Sequence, residues 1–248
     1  MAKVVVGTTL PTFKALSGED RMWLSHARGM VTDALDYGYD EVKFFAAIEH
    51  DTRGIGPFDK LTNLLGEVDA LPGARGEYWG FSISDGAAVI DGWNRLLRIC
   101  TGRNLIIDYA LRDEDVDKIL FLDSDLTVPP ESISKLSELG YPFTGGDVPA
   151  YCLAGKRLDN EYPTFPVQEH WNTAGFLMVD RHIFQRIQWR ADIHPRGAGM
   201  TDDPTYADDV RQLFGLECRV RKDLQGVHKP LVPLEKRGHD LSTQGVVG

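Results

Sequence analysis

Lys118-Ile-Leu-Phe-Leu-Asp-Ser-Asp-Leu-Thr-Val-Pro-Pro-Glu131 is the stretch whose reading decides the fold. From Ile119 to Leu122 no polar residue interrupts the apolar run, the pattern of a short strand buried on both faces. Acidic residues flank it, Asp115 and Asp117 before and Asp123 and Asp125 after. Pro129-Pro-Glu131 then opens a helix, because proline in a first turn gives up no helical hydrogen bond. Ile133, Leu136 and Leu139 recur on one side of that helix and predict its inward face.

Toward the N-terminus, Lys3 to Val6 predicts a strand running into the loop Gly7-Thr-Thr-Leu-Pro11. Ser17-Gly-Glu-Asp20 has the form of a helix N-cap. Trp23, Met30, Ala34 and Leu35 follow at near-helical spacing until Gly38 stops the pattern. Val42 to Ile48 is a second strand, ending at Glu49-His-Asp-Thr-Arg53. Residues 51–84 are rich in Gly and Pro and predict a long loop with short elements. A helical stretch opens at Asp85, carrying Val89, Trp93, Leu96 and Leu97, and a second helix follows Gly102, from about Asn104 to Leu111.

Toward the C-terminus, Gly175-Phe-Leu-Met-Val179 is another apolar strand, followed by the amphipathic Arg181 to Ile187. Asp192 to Thr205 is dense in Gly, Pro and Asp and is expected to be mobile; Asp208 to Phe214 is helical and Glu217 to Lys222 alternates as a strand. Strands alternating with helices predict an α/β fold with a mostly parallel central sheet covered on both faces. With no repeat or linker, 1–248 reads as a single domain: a nucleotide-binding part over about 1–125, an acceptor-binding part over about 126–230, and a tail over 231–248.

The chain has 37 acidic against 27 basic residues, a net charge of −10, which disfavours a broad nucleic-acid surface. Nothing approaches the apolar length of a membrane span, and Met1-Ala-Lys-Val-Val-Val-Gly7 is too short a run for a signal peptide. Cys100, Cys152 and Cys218 are odd in number and form no CxxC, which suits a reducing compartment and argues against a thiolate zinc site. A cytoplasmic protein, of a bacterium or an infected host cell, is expected.

Chemistry concentrates where the buried strand ends. Ligands of open α/β sheets gather beyond the carboxyl ends of strands. Asp123 and Asp125 stand there two residues apart, on one side of an extended turn, so both can address a single hard cation such as Mn²⁺ or Mg²⁺. An acidic pair at a strand end also serves merely to cap a following helix, so the spacing alone does not assign the role.

The order of motifs resembles that of GT-A glycosyltransferases near glycosyltransferase family 2. The matching stretches are Gly102-Arg-Asn-Leu-Ile-Ile-Asp-Tyr-Ala-Leu111, KILFLDSDLTVPPE, TAGFLMVDRHIF and ADDVRQLFGLECRVRKDLQGVHK. The resemblance implies a nucleoside-diphosphate sugar as donor and Mn²⁺ or Mg²⁺ held by Asp123, Asp125 and the late His228. It implies that Asp123 faces the donor ribose or a metal-bound water. It also implies a carboxylate of the Asp208-Asp209 pair, Asp209 first, as the base that deprotonates the acceptor in an inverting transfer. Where the family usually has Glu-Asp, this chain has Asp-Asp, with Asp202-Asp203 close upstream, so the choice among these carboxylates stays open.

Donor contacts implied in the same way are Thr8 and Thr9, Glu49 or Asp51, Arg103 and Asn104, Ser124 beside the metal pair, and Gly175, whose missing side chain allows close approach. Trp171 and Asn172 would line the sugar or acceptor pocket. Arg219, Arg221, Lys222 and Lys229 form a basic cluster suited either to phosphates or to a solvated strand face. The acceptor is not legible; a modified DNA base, a protein or a small molecule all fit, and so does any oligomeric state. Two other classes remain. Asp123-Ser-Asp-Leu-Thr127 also fits the first motif of haloacid-dehalogenase phosphohydrolases, with Asp123 as nucleophile, although that motif usually sits on the chain's first strand. A non-catalytic nucleotide-sugar binding protein would keep the same fold.

Overall fold

A strand with no polar face needs neighbours on both edges and cover on both sides, and this requirement organises the computed structural model of the chain. The structure describes residues 2–11, 22–49, 59–82, 91–148, 175–193, 200–201 and 203–228. In chain order the elements are β1 (Lys3–Pro11), a 3₁₀ turn (Met22–Leu24), α1 (Ala27–Tyr37), β2 (Glu41–Glu49), α2 (Asp59–Asp69) and β3 (Ala74–Phe81). Next come α3 (Asp91–Leu111), β4 (Val116–Leu122), β5 (Leu126–Thr127), α4 (Ser132–Ser137), β6 (Phe143–Asp147) and β7 (Phe176–Asp180). The last are α5 (Arg181–Phe184), β8 (Asp192–Ile193), β9 (Met200–Thr201), α6 (Asp203–Phe214), β10 (Arg219–Gln225) and β11 (Val227–His228).

Seven strands form one sheet in the order β10-β6-β7-β4-β1-β2-β3. All neighbours pair in parallel except β7, which runs against both β4 and β6. Ile119, Leu120, Phe121 and Leu122 of β4 are each at most 2% exposed. Burying a side chain of that size contributes about 1.5–3 kcal/mol. Two hydrophobic clusters lie on the two faces of the sheet. One joins Val4, Val6 and Leu10 of β1 to Met30 of α1, Leu65 of α2 and Ile133 of α4; the other joins Val5 to Ile106 of α3, Ile183 of α5 and Tyr206 of α6. The expected α/β layering is therefore the observed one.

Several local expectations need correction. The segment Gly7 to Pro11 is strand rather than loop, since β2 pairs with β1 as far as Pro11. Gly7 is required because Ile106 packs where its Cβ would be, at 2.3 Å. Residues 51–84 contain α2 and β3 in place of a long loop; β3 is an edge strand, half-exposed and Gly-containing, so its alternation is weak. A single helix, α3, replaces the two expected around Gly102. Gly102 does not break it; a Cβ there would lie 2.4 Å from Thr9 Cγ2, so close packing of helix on sheet accounts for the glycine. Helix α6 begins at Asp203, with Pro204 in its first turn, five residues ahead of the expected start. Gly38 does end α1, at φ 116°, with its N–H bonded to the Ala34 carbonyl. The proposed cap at Ser17 to Asp20, the start of a helix at Asp85, and residues 194–199 and 202 of the Gly- and Pro-rich stretch lie outside the described residues.

At the opposite end of the sheet from the Asp123 loop, Asp113 accepts from Lys3 at 2.8 Å and is also bonded by Lys43. These hydrogen bonds, Lys3's first, hold its carboxyl well below the usual carboxylate range. A carboxyl depressed by folding stabilises the protein above the unfolded value, about pH 4, and that contribution fades as pH falls below it.

Three substitutions test this packing. Asp113→Asn is expected to lower the urea midpoint at pH 7 and to flatten its decline between about pH 5 and pH 2. Gly76→Ala, whose Cβ would lie 2.6 Å from the Leu65 carbonyl oxygen, is expected to cost about 1–3 kcal/mol. Gly66→Ala, with open space around it in α2, is expected to gain up to about 1 kcal/mol in the same assay.

Candidate active site

The reversed strand β7 builds the floor of the site. Its register places Phe176 opposite Leu122, so Gly175 falls opposite Asp123, and the Asp123 N–H donates to the Gly175 carbonyl at 3.0 Å. The Asp123 carbonyl accepts from Leu126 at 3.0 Å, which turns the chain sharply through Ser124 and Asp125. A Cβ on Gly175 would stand 2.7 Å from Asp123 Oδ2. The missing side chain at Gly175 leaves room for that carboxylate.

The turn feeds directly into β5, and β5 pairs antiparallel with β11. Thr127 faces Val227 and Leu126 faces His228. Directly opposed residues in such a pair have Cα atoms about 5 Å apart. The backbone of His228 is thereby fixed one residue from Asp125, although about a hundred positions separate them in the chain. The side chain of His228 lies outside the described residues. Among the described residues no three His, Cys, Asp or Glu side chains meet as a metal site. The donor chemistry of Asp123 and Asp125, two half-buried carboxylates on a turn, suits a hard cation such as Mg²⁺ or Mn²⁺.

Beneath this turn sits Arg103, 5% exposed. Its Nη1 donates to Asp203 Oδ1 at 2.7 Å, and its Nη2 lies 3.6 Å from Asp123 Oδ1. Its guanidinium carbon stands 4.5 Å from the Trp189 ring centroid, and Trp189 stacks on Tyr206 of α6 at 3.9 Å. Asn104 pins the same tryptophan through its backbone, donating to the Trp189 carbonyl at 2.9 Å and accepting from its N–H at 2.7 Å. Arg103 and Asn104 thus tie α3 to the Trp189 segment. Asp203, an alternative candidate for the base from sequence, stands in the first turn of α6 and is bonded by Arg103. The signal that finds it is the Asp-Pro pair, which marks a helix start.

The Asp208-Asp209 pair lies in the second turn of α6 rather than at the helix start expected at Asp208. Asp209 is gripped by Arg190 through two bonds of 2.9 Å, and Arg190 also reaches Asp192. The Asp209 bonds come first among the causes that push the Arg190 guanidinium above its usual value. Asp208 accepts from Arg211 at 3.0 Å.

The remaining candidates are spread more widely. Thr8 and Thr9 point to opposite faces of β1. Thr8 is buried and its hydroxyl has no hydrogen-bond partner among the described residues, while the Thr9 methyl covers Gly102. Glu49, at the end of β2, pairs with Arg98 at 2.8 Å. Ser124 is 5% exposed. In the basic cluster, Arg221 is matched by Asp223 and Glu138, and Arg219 lies over the Tyr141 ring at 3.8 Å. Asp51, Trp171, Asn172 and Lys229 lie outside the described residues. No helix among the described residues is long and apolar enough to cross a membrane.

No protein-family model matches the chain, and no curated protein matches it. Solved structures do. The chain is similar to the inositol-1-phosphate CTP transferase from T. maritima at 11% identity, over 93% of this chain and 89% of that one, with a TM-score of 0.44. It is similar to an active-site mutant of LgtC at 14% identity, over 87% and 72%, with a TM-score of 0.46. It is also similar to Rv0371c of Mycobacterium tuberculosis in complex with manganese, at 10% identity over 95% and 96%, with a TM-score of 0.41.

Gly175→Ala is expected to displace the Asp123 carboxylate while leaving the sheet intact. The displacement should appear as a change in the Asp123 carboxylate chemical shift by nuclear magnetic resonance. The urea midpoint should shift by no more than the equivalent of about 1–3 kcal/mol.

Proposed function

We propose that this chain is a metal-dependent glycosyltransferase, moving a sugar from a nucleoside-diphosphate sugar to an acceptor hydroxyl. The observation that carries the reading is the β5–β11 pairing, which sets the backbone of His228 beside the Asp123-Ser-Asp125 turn. A carboxylate pair and an imidazole from a remote segment leave coordination positions for diphosphate oxygens. In this reading Asp123, Asp125 and His228 hold Mn²⁺ or Mg²⁺. The bound cation would offset the charge that develops on the diphosphate as the glycosyl bond breaks.

The chain's own residues supply orientation and proton transfer. The backbone of Asp123 is set at the end of β4 by its hydrogen bonds to Gly175 and Leu126. Thr8, Thr9, Glu49, Asp51, Arg103, Asn104, Ser124 and Gly175 are assigned to the donor side, as direct contacts or as the frame beneath them. Asp209, with Asp208 beside it, is assigned the acceptor proton in an inverting transfer. Its two oxygens become available when Arg190, whose side chain is 52% exposed, turns away. The catalytic unit is taken as the single domain 1–248, acting in the cytoplasm on a hydroxyl of a modified base, a protein or a small molecule.

A panel of nucleotide sugars screened by thermal shift with MnCl₂ tests the reading. A cognate donor in large excess over its Kd should stabilise the protein by about 3–4 kcal/mol. Asp125→Ala should abolish that metal-dependent shift without lowering the ligand-free melting temperature by more than a few degrees. A shift that survives Asp125→Ala removes Asp125 from the metal site. Hydrolysis of p-nitrophenyl phosphate would reassign Asp123 as a phosphohydrolase nucleophile. Donor that binds with Mn²⁺ but is never consumed would make the chain a binding protein.

A further inference from the structure

Gly175 has a carboxylate level with it on each side. Strand β7 separates β4 from β6, and its register sets Phe176 beside Leu122 of β4 and Leu177 beside Gly145 of β6. The alignment with β6 continues past Gly145, because a Cβ on Gly146 would lie 2.0 Å from the Phe176 ring. One residue further along each strand, Asp147 falls beside Gly175, as Asp123 does from β4. The row across the three strands therefore reads Asp123, Gly175, Asp147.

Both carboxylates belong to one face of the sheet. Phe121 and Phe143 lie in the cluster shared with Ile106 of α3 and Tyr206 of α6, and strand alternation puts Asp123 and Asp147 on their side. Neighbouring strands run about 5 Å apart, so the two Cα atoms are separated by about 10 Å with only a glycine between them. That spacing accommodates a single sugar ring. The backbone of Asp147 is fixed from three directions. Its carbonyl accepts from the Gly226 N–H at 2.8 Å, Gln225 of β10 pairs with it, and Val148 after it is buried in the core. Its side chain is half-buried.

We infer that Asp147 is a specificity-determining residue that accepts hydrogen bonds from hydroxyls of the transferred sugar. This rests on the nucleotide-sugar reading above and adds to it the class of sugar. An ionised carboxylate offers acceptors alone, so its natural partners are neutral groups rich in donors. Adjacent ring hydroxyls can donate to both of its oxygens, and hydrogen bonds to a charged group are the stronger kind. A diphosphate is anionic and is repelled by it. The sugar selected is therefore one with free neighbouring hydroxyls at this position. An anionic substituent there is rejected by repulsion, and a fully substituted one for want of a donor.

The test compares each nucleotide sugar with its own nucleoside diphosphate. UDP and UDP-glucose, UDP and UDP-galactose, and GDP and GDP-mannose are titrated by calorimetry in MnCl₂ against the wild type, Asp147→Ala and Asp147→Asn. The readout is the ratio of the two affinities within a pair, which a change in cation or diphosphate binding leaves unmoved. Losing a hydrogen bond to a charged group corresponds to about tenfold or more in affinity, so Asp147→Ala should lower the ratio by that factor for the pair that binds. The diphosphate alone should keep its affinity within about twofold. Asp147→Asn, of the same shape but neutral, should lower the ratio by about threefold or more, and that arm stands even if Asp147→Ala does not fold.

A ratio unmoved in both variants would overturn the inference. Equal losses for sugar and diphosphate would overturn it as well, and would place Asp147 with the cation instead. A wild-type protein that binds no nucleotide sugar of the panel removes the donor reading and this inference together. Wild-type binding with an unmoved ratio in the variants removes this inference alone.

Discussion

Burying a guanidinium costs several kcal/mol unless counter-charge, hydrogen bonds or an aromatic face replace its water. Arg103 meets that demand with all three, in Asp203, Asp123 and Trp189. The requirement ties four parts of the chain into one arrangement: α3, the end of β4, the Trp189 segment and α6. A single basic residue thus links the turn that carries Asp123 and Asp125 to the helix that carries Asp203, Asp208 and Asp209.

The second constraint is directional. Parallel strands all deliver their carboxyl ends to one edge of the sheet, and β1, β2 and β4 do so here. β7 enters that edge from the other direction, so the residue preceding it, Gly175, meets the end of β4 at backbone hydrogen-bonding distance. The short β5–β11 pair then closes the far side of the Asp123 turn. The site is assembled from strand ends, where backbone positions are set by ladder hydrogen bonds rather than by loops.

Much of the frame was legible because buried strands and amphipathic helices leave strong periodic signals. Ile119 to Leu122, Val42 to Ile48 and Phe176 to Val179 all became central or near-central strands, and Gly38 ended its helix. Signals failed where packing overrides local propensity. Gly102 reads as a break, yet it sits inside a helix because Thr9 needs the space. β3 has a weak alternation because an edge strand is half solvated. Asp208 looked like a helix start because it precedes an apolar run, but the preceding turn, from Asp203 and Pro204, is the true beginning. In the candidate site, the carboxylates of the Asp123 turn and Gly175 were identifiable as residue types at a strand end. The bond between Arg103 and Asp203 was not, because a contact across a hundred residues leaves no spacing to read.

The amino-acid sequence by itself determined the class of fold, the edge of the sheet at which Asp123 and Asp125 stand, and the acidic character of that edge. Alternating apolar runs of two different periods can be satisfied only by covered strands and half-covered helices. Which residues share a charge, which oxygen of Asp123 lies against glycine and which against arginine, and which strand brings in the backbone of His228 were decided by tertiary structure alone. Those relations depend on distances of a few ångströms between segments far apart in the chain, and only the completed sheet sets such distances.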